Sequence, residues 1–137
     1  MLLCMRNTRY KRKAGAVFSL KYHLVWCPKY RLPVLTDEVR VRLLELVAEK
    51  AHELGAEIHA SEVMPDHVHL CIEAGPTYSP AKLAHQIKGY TSRLLRQEFL
   101  HLRSRMPAMW SRSYFIGSVG AVSDATIKRY IEEQETR

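Results

Sequence analysis

The 137-residue sequence predicts one α+β domain of βαββαβ order, with a further helix at its C-terminal end. Four short segments rich in β-branched and aromatic residues alternate apolar and polar positions. Two long stretches between them repeat apolar residues at helical spacing. Gly and Pro punctuate the joins.

In chain order, residues 1–15 read as a basic arm with Arg6, Arg9, Lys11, Arg12 and Lys13, closed by Gly15. Such an arm is most often a solvated tail. The first strand spans Val17 to Cys27, with Phe18, Leu20, Tyr22, Leu24 and Trp26 alternating. Pro28 and Pro33 bracket the exit. Thr36 caps a helix to Leu54, striped by Val39, Leu43, Leu46 and Val47, and Gly55 stops it. A second strand covers Glu57 to Val63, Met64-Pro65-Asp66 turns the chain, and a third strand runs from His67 to Ala74. Gly75-Pro76 breaks that strand. A second helix, from Ser79 to Leu102, turns Leu83, Ile87, Leu94 and Leu95 inward. A fourth strand lies near Tyr114 to Val119, and Ser123 or Asp124 caps a last helix that reaches the C-terminus.

This is the ferredoxin-like layout. It implies a four-stranded antiparallel sheet, two helices on one face and an appended C-terminal helix over residues 123–137. The other face of the sheet is expected to stay open. A composition of 47% hydrophobic and 26% charged residues fits one domain over 1–137.

The net charge of +7 points to an anionic partner, most commonly nucleic acid. Lys82, Lys88, Arg93, Arg96, Arg103, Arg105 and Arg112 stand against Glu98 alone, whereas the first helix is mixed. The expected footprint is therefore the second helix and the loop after it. Tyr30, Tyr90 and Trp110 are interleaved with basic residues as candidate base-stacking rings, and Tyr90 and Trp110 equally suit a core. The apolar runs are too short for a membrane span, and Met1-Leu2-Leu3-Cys4-Met5 is too brief for a signal peptide. Three widely spaced cysteines without a CxxC argue against a disulfide framework, so a cytoplasmic setting is expected.

On the third strand, Val68, Leu70 and Ile72 point one way, and His67, His69, Cys71 and Glu73 the other. The apolar set must cover the helix layer, which leaves the histidines on the open face. Two imidazoles one residue apart can grip one metal ion, although HxH alone is a weak signal in a chain with seven histidines. Adding Cys71 does not make a closed zinc site. Strand positions i and i+4 are about 13 Å apart, while zinc–ligand bonds are about 2 Å. Tyr130 and Gln134 share one face of the last helix. Read alone, Tyr130 suits a core edge and Gln134 a solvated surface. Beside a metal, a glutamine carbonyl supplies an oxygen ligand and a phenol supplies a nucleophile for phosphoryl transfer. His23 is read chiefly as a packed residue that faces the same surface.

Four separated blocks carry a resemblance: Tyr22-His23-Leu24-Val25-Trp26-Cys27 with Lys29-Tyr30-Arg31; Met64-Pro65-Asp66-His67-Val68-His69; Lys88-Gly89 with Ser92-Arg93; and Tyr130 with Gln134. In order and spacing the chain resembles the HUH single-tyrosine transposases (TnpA type) of the small bacterial insertion-sequence 200/605 family. The resemblance implies that His67, His69 and Gln134 hold Mg2+ or Mn2+ and that Tyr130 is the nucleophile. It implies that single-stranded DNA is cut and rejoined at insertion-sequence ends through a 5′-phosphotyrosine, with subterminal hairpins recognised. Each transesterification conserves the bond energy, so no nucleotide cofactor is needed, and no P-loop signature is present. Exchange by two tyrosines implies a homodimer. Arg12, Lys13, Lys88, Arg93 and Arg96 are the expected DNA contacts. Three other readings stay open: a domesticated hairpin-cutting relative, a mutationally dead copy, and a non-catalytic single-stranded nucleic-acid-binding module. The last normally puts aromatics on the central strands, where this chain has His67 and His69.

Overall fold

A computed structural model describes residues 10–13 and 15–134. The strands are β1 (Lys11–Lys13), β2 (Ala16–Phe18), β3 (Lys21–Trp26), β4 (Glu57–Met64), β5 (His67–Glu73) and β6 (Phe115–Ser118). The helices are α1 (Asp37–Glu53), α2 (Pro80–Glu98), α3 (Leu100–Arg105) and α4 (Asp124–Glu132). The main sheet has the order β4-β5-β3-β6 and is antiparallel throughout. That is the ferredoxin-like arrangement which the periodicities predict.

The core lies between this sheet and the α1/α2 layer. Leu24 and Trp26 of β3, with Val68, Leu70 and Ile72 of β5, meet Leu43 and Leu46 of α1 and Leu83, Ile87 and Leu95 of α2. Burying these side chains is the main drive for the fold, at about 1.5–3 kcal/mol for each fully buried large aliphatic. Helix α1 stops in a Schellman turn: Gly55 adopts φ 68°, its amide donates to His52, and the Ala56 amide donates to Ala51. Helix α2 starts where Ser79 accepts from the Lys82 amide, with Pro80 in its first turn.

Three features differ from the sequence expectation. The first strand is split at Ser19-Leu20, and its leading part pairs with β1 as a separate hairpin, so part of the arm is ordered. The remainder of that arm, residues 1–9 and 14, lies outside the described residues, as do residues 135–137 of the last helix. The second helix breaks at Phe99, whose amide still donates to Leu95 while its carbonyl accepts from Leu102. The chain changes direction there because Phe99 takes an extended backbone, φ −121° and ψ 95°, and no Gly or Pro announces it. Of the two readings left open for Trp110 the core one holds: it is 6% exposed and edge-on to Trp26 at 5.7 Å between ring centroids. Cys71 is disulfide-bonded, where the number and spacing of the cysteines argued against a disulfide framework.

The face opposite α1 and α2 is not left open. Helix α4 packs against β3, and the Asp124 carboxylate at its start acts electrostatically on both His23 and His69. His69, on the strand face away from the core, is only 1% exposed.

Candidate active site

Alternation along β5 sends Val68, Leu70 and Ile72 into the core and His67, His69, Cys71 and Glu73 to the other face. His67 remains partly exposed. Its Nδ1 lies 2.9 Å from Asp66 Oδ1. A carboxylate only accepts, so Nδ1–H is the donor and the Nε2 lone pair is left for a ligand. His69 Nε2 lies 2.9 Å from His23 Nδ1, and the Cys71 sulfur lies 3.7 Å from that same His23 nitrogen. Burial above all, then the His23 and His67 rings, lowers the His69 pKa to about 4. His69 is therefore neutral at pH 7, the state that ligates metal. Burial likewise lowers the pKa of His23.

Helix α4 brings the other half. Ser123 caps it by accepting from the Thr126 amide, and Ile127 anchors it, 1% exposed. The Tyr130 hydroxyl sits 2.6 Å from Ser113 Oγ, and its ring lies 5.9 Å from that of Phe115. Gln134 is 1% exposed and donates from Nε2 to the Tyr130 carbonyl at 3.1 Å. Its Oε1 is buried without a hydrogen-bond partner among the described residues. An orphaned buried acceptor is costly, about 1–3 kcal/mol, and marks a place where a cation or donor belongs.

Arg31 ties the halves together. Its Nε is 3.0 Å from Asp66 Oδ2, and one of its terminal nitrogens donates to the Ile131 carbonyl at 3.2 Å. Asp66, Arg31, Ser113 and the direct His23–His69 bond carry no role in the sequence reading. Asp66 was traceable as the carboxylate just before the histidine pair. The others become visible only once distant segments meet.

Among the described residues, one three-residue group has its ligating atoms within 4.8 Å of one another: Glu57, His59 and Glu73. Glu57 and His59, two apart on β4, share a face, and Glu73 pairs opposite Glu57. This group sits at the opposite end of β5 from His67. The Lys11 ammonium lies 2.6 Å from Glu57 Oε2 and 3.6 Å from Glu73 Oε1. A protein cation thus already serves these carboxylates, and the group anchors the β1/β2 hairpin.

The expected DNA contacts separate. Arg12 is exposed on β1, and Lys13 is described by its backbone alone. Arg93 is exposed on α2, with its guanidinium over the Tyr90 ring. Lys88 instead donates to the carbonyls of Ser111 at 2.7 Å and Ser113 at 3.0 Å, and burial pulls its pKa down to about 8. Arg96 donates to the carbonyls of Met106 at 3.2 Å and Pro107 at 3.3 Å. These two cations are engaged within the protein. Helix α2 also lies across the sheet from His67 and His69. No helix among the described residues is long and apolar enough to cross a membrane.

Residues 16–134 match the family model described as "Transposase IS200 like". The chain is 36% identical over 129 residues to the ISDra2 transposase TnpA of Deinococcus radiodurans, covering 93% of this chain and 92% of that protein. It is 29% identical over 126 residues to the transposase for insertion sequence element IS200 of Salmonella typhimurium, covering 90% and 82%. A crystal structure of a Deinococcus radiodurans R1 protein described as a transposase superposes with TM-score 0.87 at 36% identity, covering 93% and 99%. A REP-associated tyrosine transposase bound to a REP hairpin shares the fold at TM-score 0.54 and 11% identity, covering 95% and 69%. With a histidine face on β5, a tyrosine helix laid over the sheet and a family match across nearly all the described residues, this chain belongs to the IS200-like transposases, DNA-cleaving enzymes of insertion sequences.

Proposed function

We propose that the protein cuts and rejoins single-stranded DNA at insertion-sequence ends, with Tyr130 as the nucleophile and His67, His69 and Gln134 holding one Mg2+ or Mn2+. The observation that carries this reading is the buried, unpaired Gln134 Oε1 one helical turn from Tyr130. The donor set suits a hard divalent ion: one amide oxygen, two neutral imidazoles and room for phosphate oxygens. Ligation by His69 through Nδ1 keeps its bond to His23, with Nε2–H as the donor.

The chain's own residues supply the remainder. Tyr130 Oη attacks the phosphorus and takes the 5′ phosphate, while the 3′ oxygen leaves and is protonated. A second 3′ hydroxyl reverses the step, displacing the tyrosine and sealing a new junction. A bound divalent ion polarises the phosphate and offsets its charge. Ser113 Oγ is in place to accept the phenolic proton's hydrogen bond. Two such tyrosines act in strand exchange, so the working unit is a homodimer. Subterminal hairpins are the proposed recognition element, supported by the family, the charge of +7 and the hairpin held by a protein of the same fold. Exposed Arg12 and Arg93 are the proposed phosphate contacts, whereas Lys88 and Arg96 are set aside because each is tied to carbonyls of its own chain.

The test is incubation of the protein with single-stranded DNA from the ends flanking its gene, plus Mg2+ or Mn2+. A denaturation-resistant protein–DNA adduct is expected from wild type and from neither Tyr130→Phe nor His67→Ala. Hairpin binding without any adduct would instead mark a binding module.

A further inference from the structure

The 3₁₀ turn after β3, Lys29–Arg31, holds an unusual backbone. Tyr30 and Arg31 are consecutive non-glycine residues at φ 58° and 52°, a left-handed conformation that L side chains resist. Burial of the Tyr30 ring does not explain it, since Tyr30 is 49% exposed. What the strained turn achieves is the aim of Arg31. Its Nε reaches Asp66 Oδ2 at 3.0 Å, and the other carboxylate oxygen accepts from His67 Nδ1 at 2.9 Å. Its terminal nitrogen reaches the Ile131 carbonyl at 3.2 Å. That carbonyl also accepts from the Gln134 amide at 3.1 Å. Ile131 lies at the C-terminal end of α4, where the helix dipole favours a cation. One guanidinium therefore stands one contact from the residue that orients His67, and one contact from the turn that carries Gln134.

We propose that Arg31 is a positioning residue that couples docking of the tyrosine helix to the orientation of His67, so that the two halves of the metal site form together. This rests on the reading of His67 and Gln134 as ligands. A backbone held in a disfavoured conformation persists where the surrounding contacts over-determine it, and such residues cluster at functional sites. The planar fork matters here. Lysine carries the charge but cannot serve a carboxylate and a carbonyl about a fixed plane.

The experiment measures Mn2+ affinity of the full chain by titration calorimetry, together with the single-turnover rate of adduct formation. The proteins are wild type, Arg31→Met, Arg31→Lys, Asp66→Asn, the Arg31→Met/Asp66→Asn double variant and Tyr130→Phe. Arg31→Met and Arg31→Lys are expected to bind Mn2+ about 10-fold or more weakly and to slow the adduct by at least as much, with hairpin affinity within two-fold of wild type. Asp66→Asn should act alike, and the double variant should cost little beyond either single one, because both break the same link. Arg31→Lys guards against a loss due to misfolding, since its melting curve should match wild type. Equal Mn2+ affinity and adduct rate in wild type and Arg31→Met would overturn the coupling, as would full additivity in the double variant. If wild type forms an adduct that Tyr130→Phe lacks while Arg31→Met equals wild type, the coupling alone fails. A wild type that neither binds Mn2+ nor forms an adduct removes the ligand reading and the coupling with it.

Discussion

Ser113 Oγ lies 2.6 Å from the hydroxyl of Tyr130, and Ser113 is itself fixed by the Lys88 ammonium on its carbonyl at 3.0 Å. The segment before β6 thus holds the tip of the tyrosine, while α4 holds its base. Ser113→Ala is expected to slow adduct formation roughly five-fold, the worth of one ordinary hydrogen bond of about 1 kcal/mol. Ser113→Thr should restore most of the rate, and hairpin affinity should not change in either. Single-turnover rates beside hairpin titrations check this. An unchanged rate in Ser113→Ala would leave the contact without a role.

Lys88 and Arg93 should respond in opposite ways. Lys88→Met removes the donor to two carbonyls, and is expected to cost about 1–3 kcal/mol of stability while leaving the salt dependence of DNA binding intact. Arg93→Ala should leave the melting curve alone and lower the slope of log affinity against log salt by about one. Chemical denaturation and salt titrations on both variants separate the two. A reduced salt slope in Lys88→Met would return that residue to the DNA contacts.

Gln134→Leu removes the buried, unpaired Oε1 and one hydrogen bond together. In metal-free protein these effects oppose each other, so stability should move by less than about 1 kcal/mol. Mn2+ affinity should fall by about 10-fold or more as one ligand is lost. Denaturation in EDTA and Mn2+ titration give the two numbers. Unaltered Mn2+ affinity would exclude the glutamine as a ligand.

His69 gives the pH dependence of the metal-free fold. Its folded pKa is about 4 against an ordinary 6.5, so between those values the unfolded chain binds a proton that the folded chain refuses. The contribution is complete above pH 6.5 and is lost as pH falls towards 4. The full loss is on the order of 3 kcal/mol at about 1.4 kcal/mol for each pH unit. Denaturation midpoints in EDTA across that window should fall in wild type and flatten in His69→Gln. Parallel profiles would contradict the assignment.

How much of this was legible follows from what each signal encodes. Period-2 alternation on His67–Glu73 reports which side chains share a face, and Val68, Leu70 and Ile72 do share the core face. It does not report what covers the face, so α4 packing against β3 and the burial of His69 were out of reach. Spacing placed Tyr130 beside Gln134, and the structure joins them through one hydrogen bond. Charge counting found the basic stretch around α2 but not its bonding, so the carbonyl contacts of Lys88 and Arg96 were not foreseen. Arg31 meets Asp66 and Ile131 across 35 and 100 residues of chain. Only the assembled fold puts them in contact. The break at Phe99 has no local marker, because neither Gly nor Pro stands beside it.

The most direct test of the central claim is mass spectrometry of the trapped adduct after protease and nuclease digestion. The account predicts a single modified peptide, with the nucleotide joined through its 5′ phosphate to Tyr130. A nucleotide on any other side chain, or one attached through a 3′ phosphate, would contradict it.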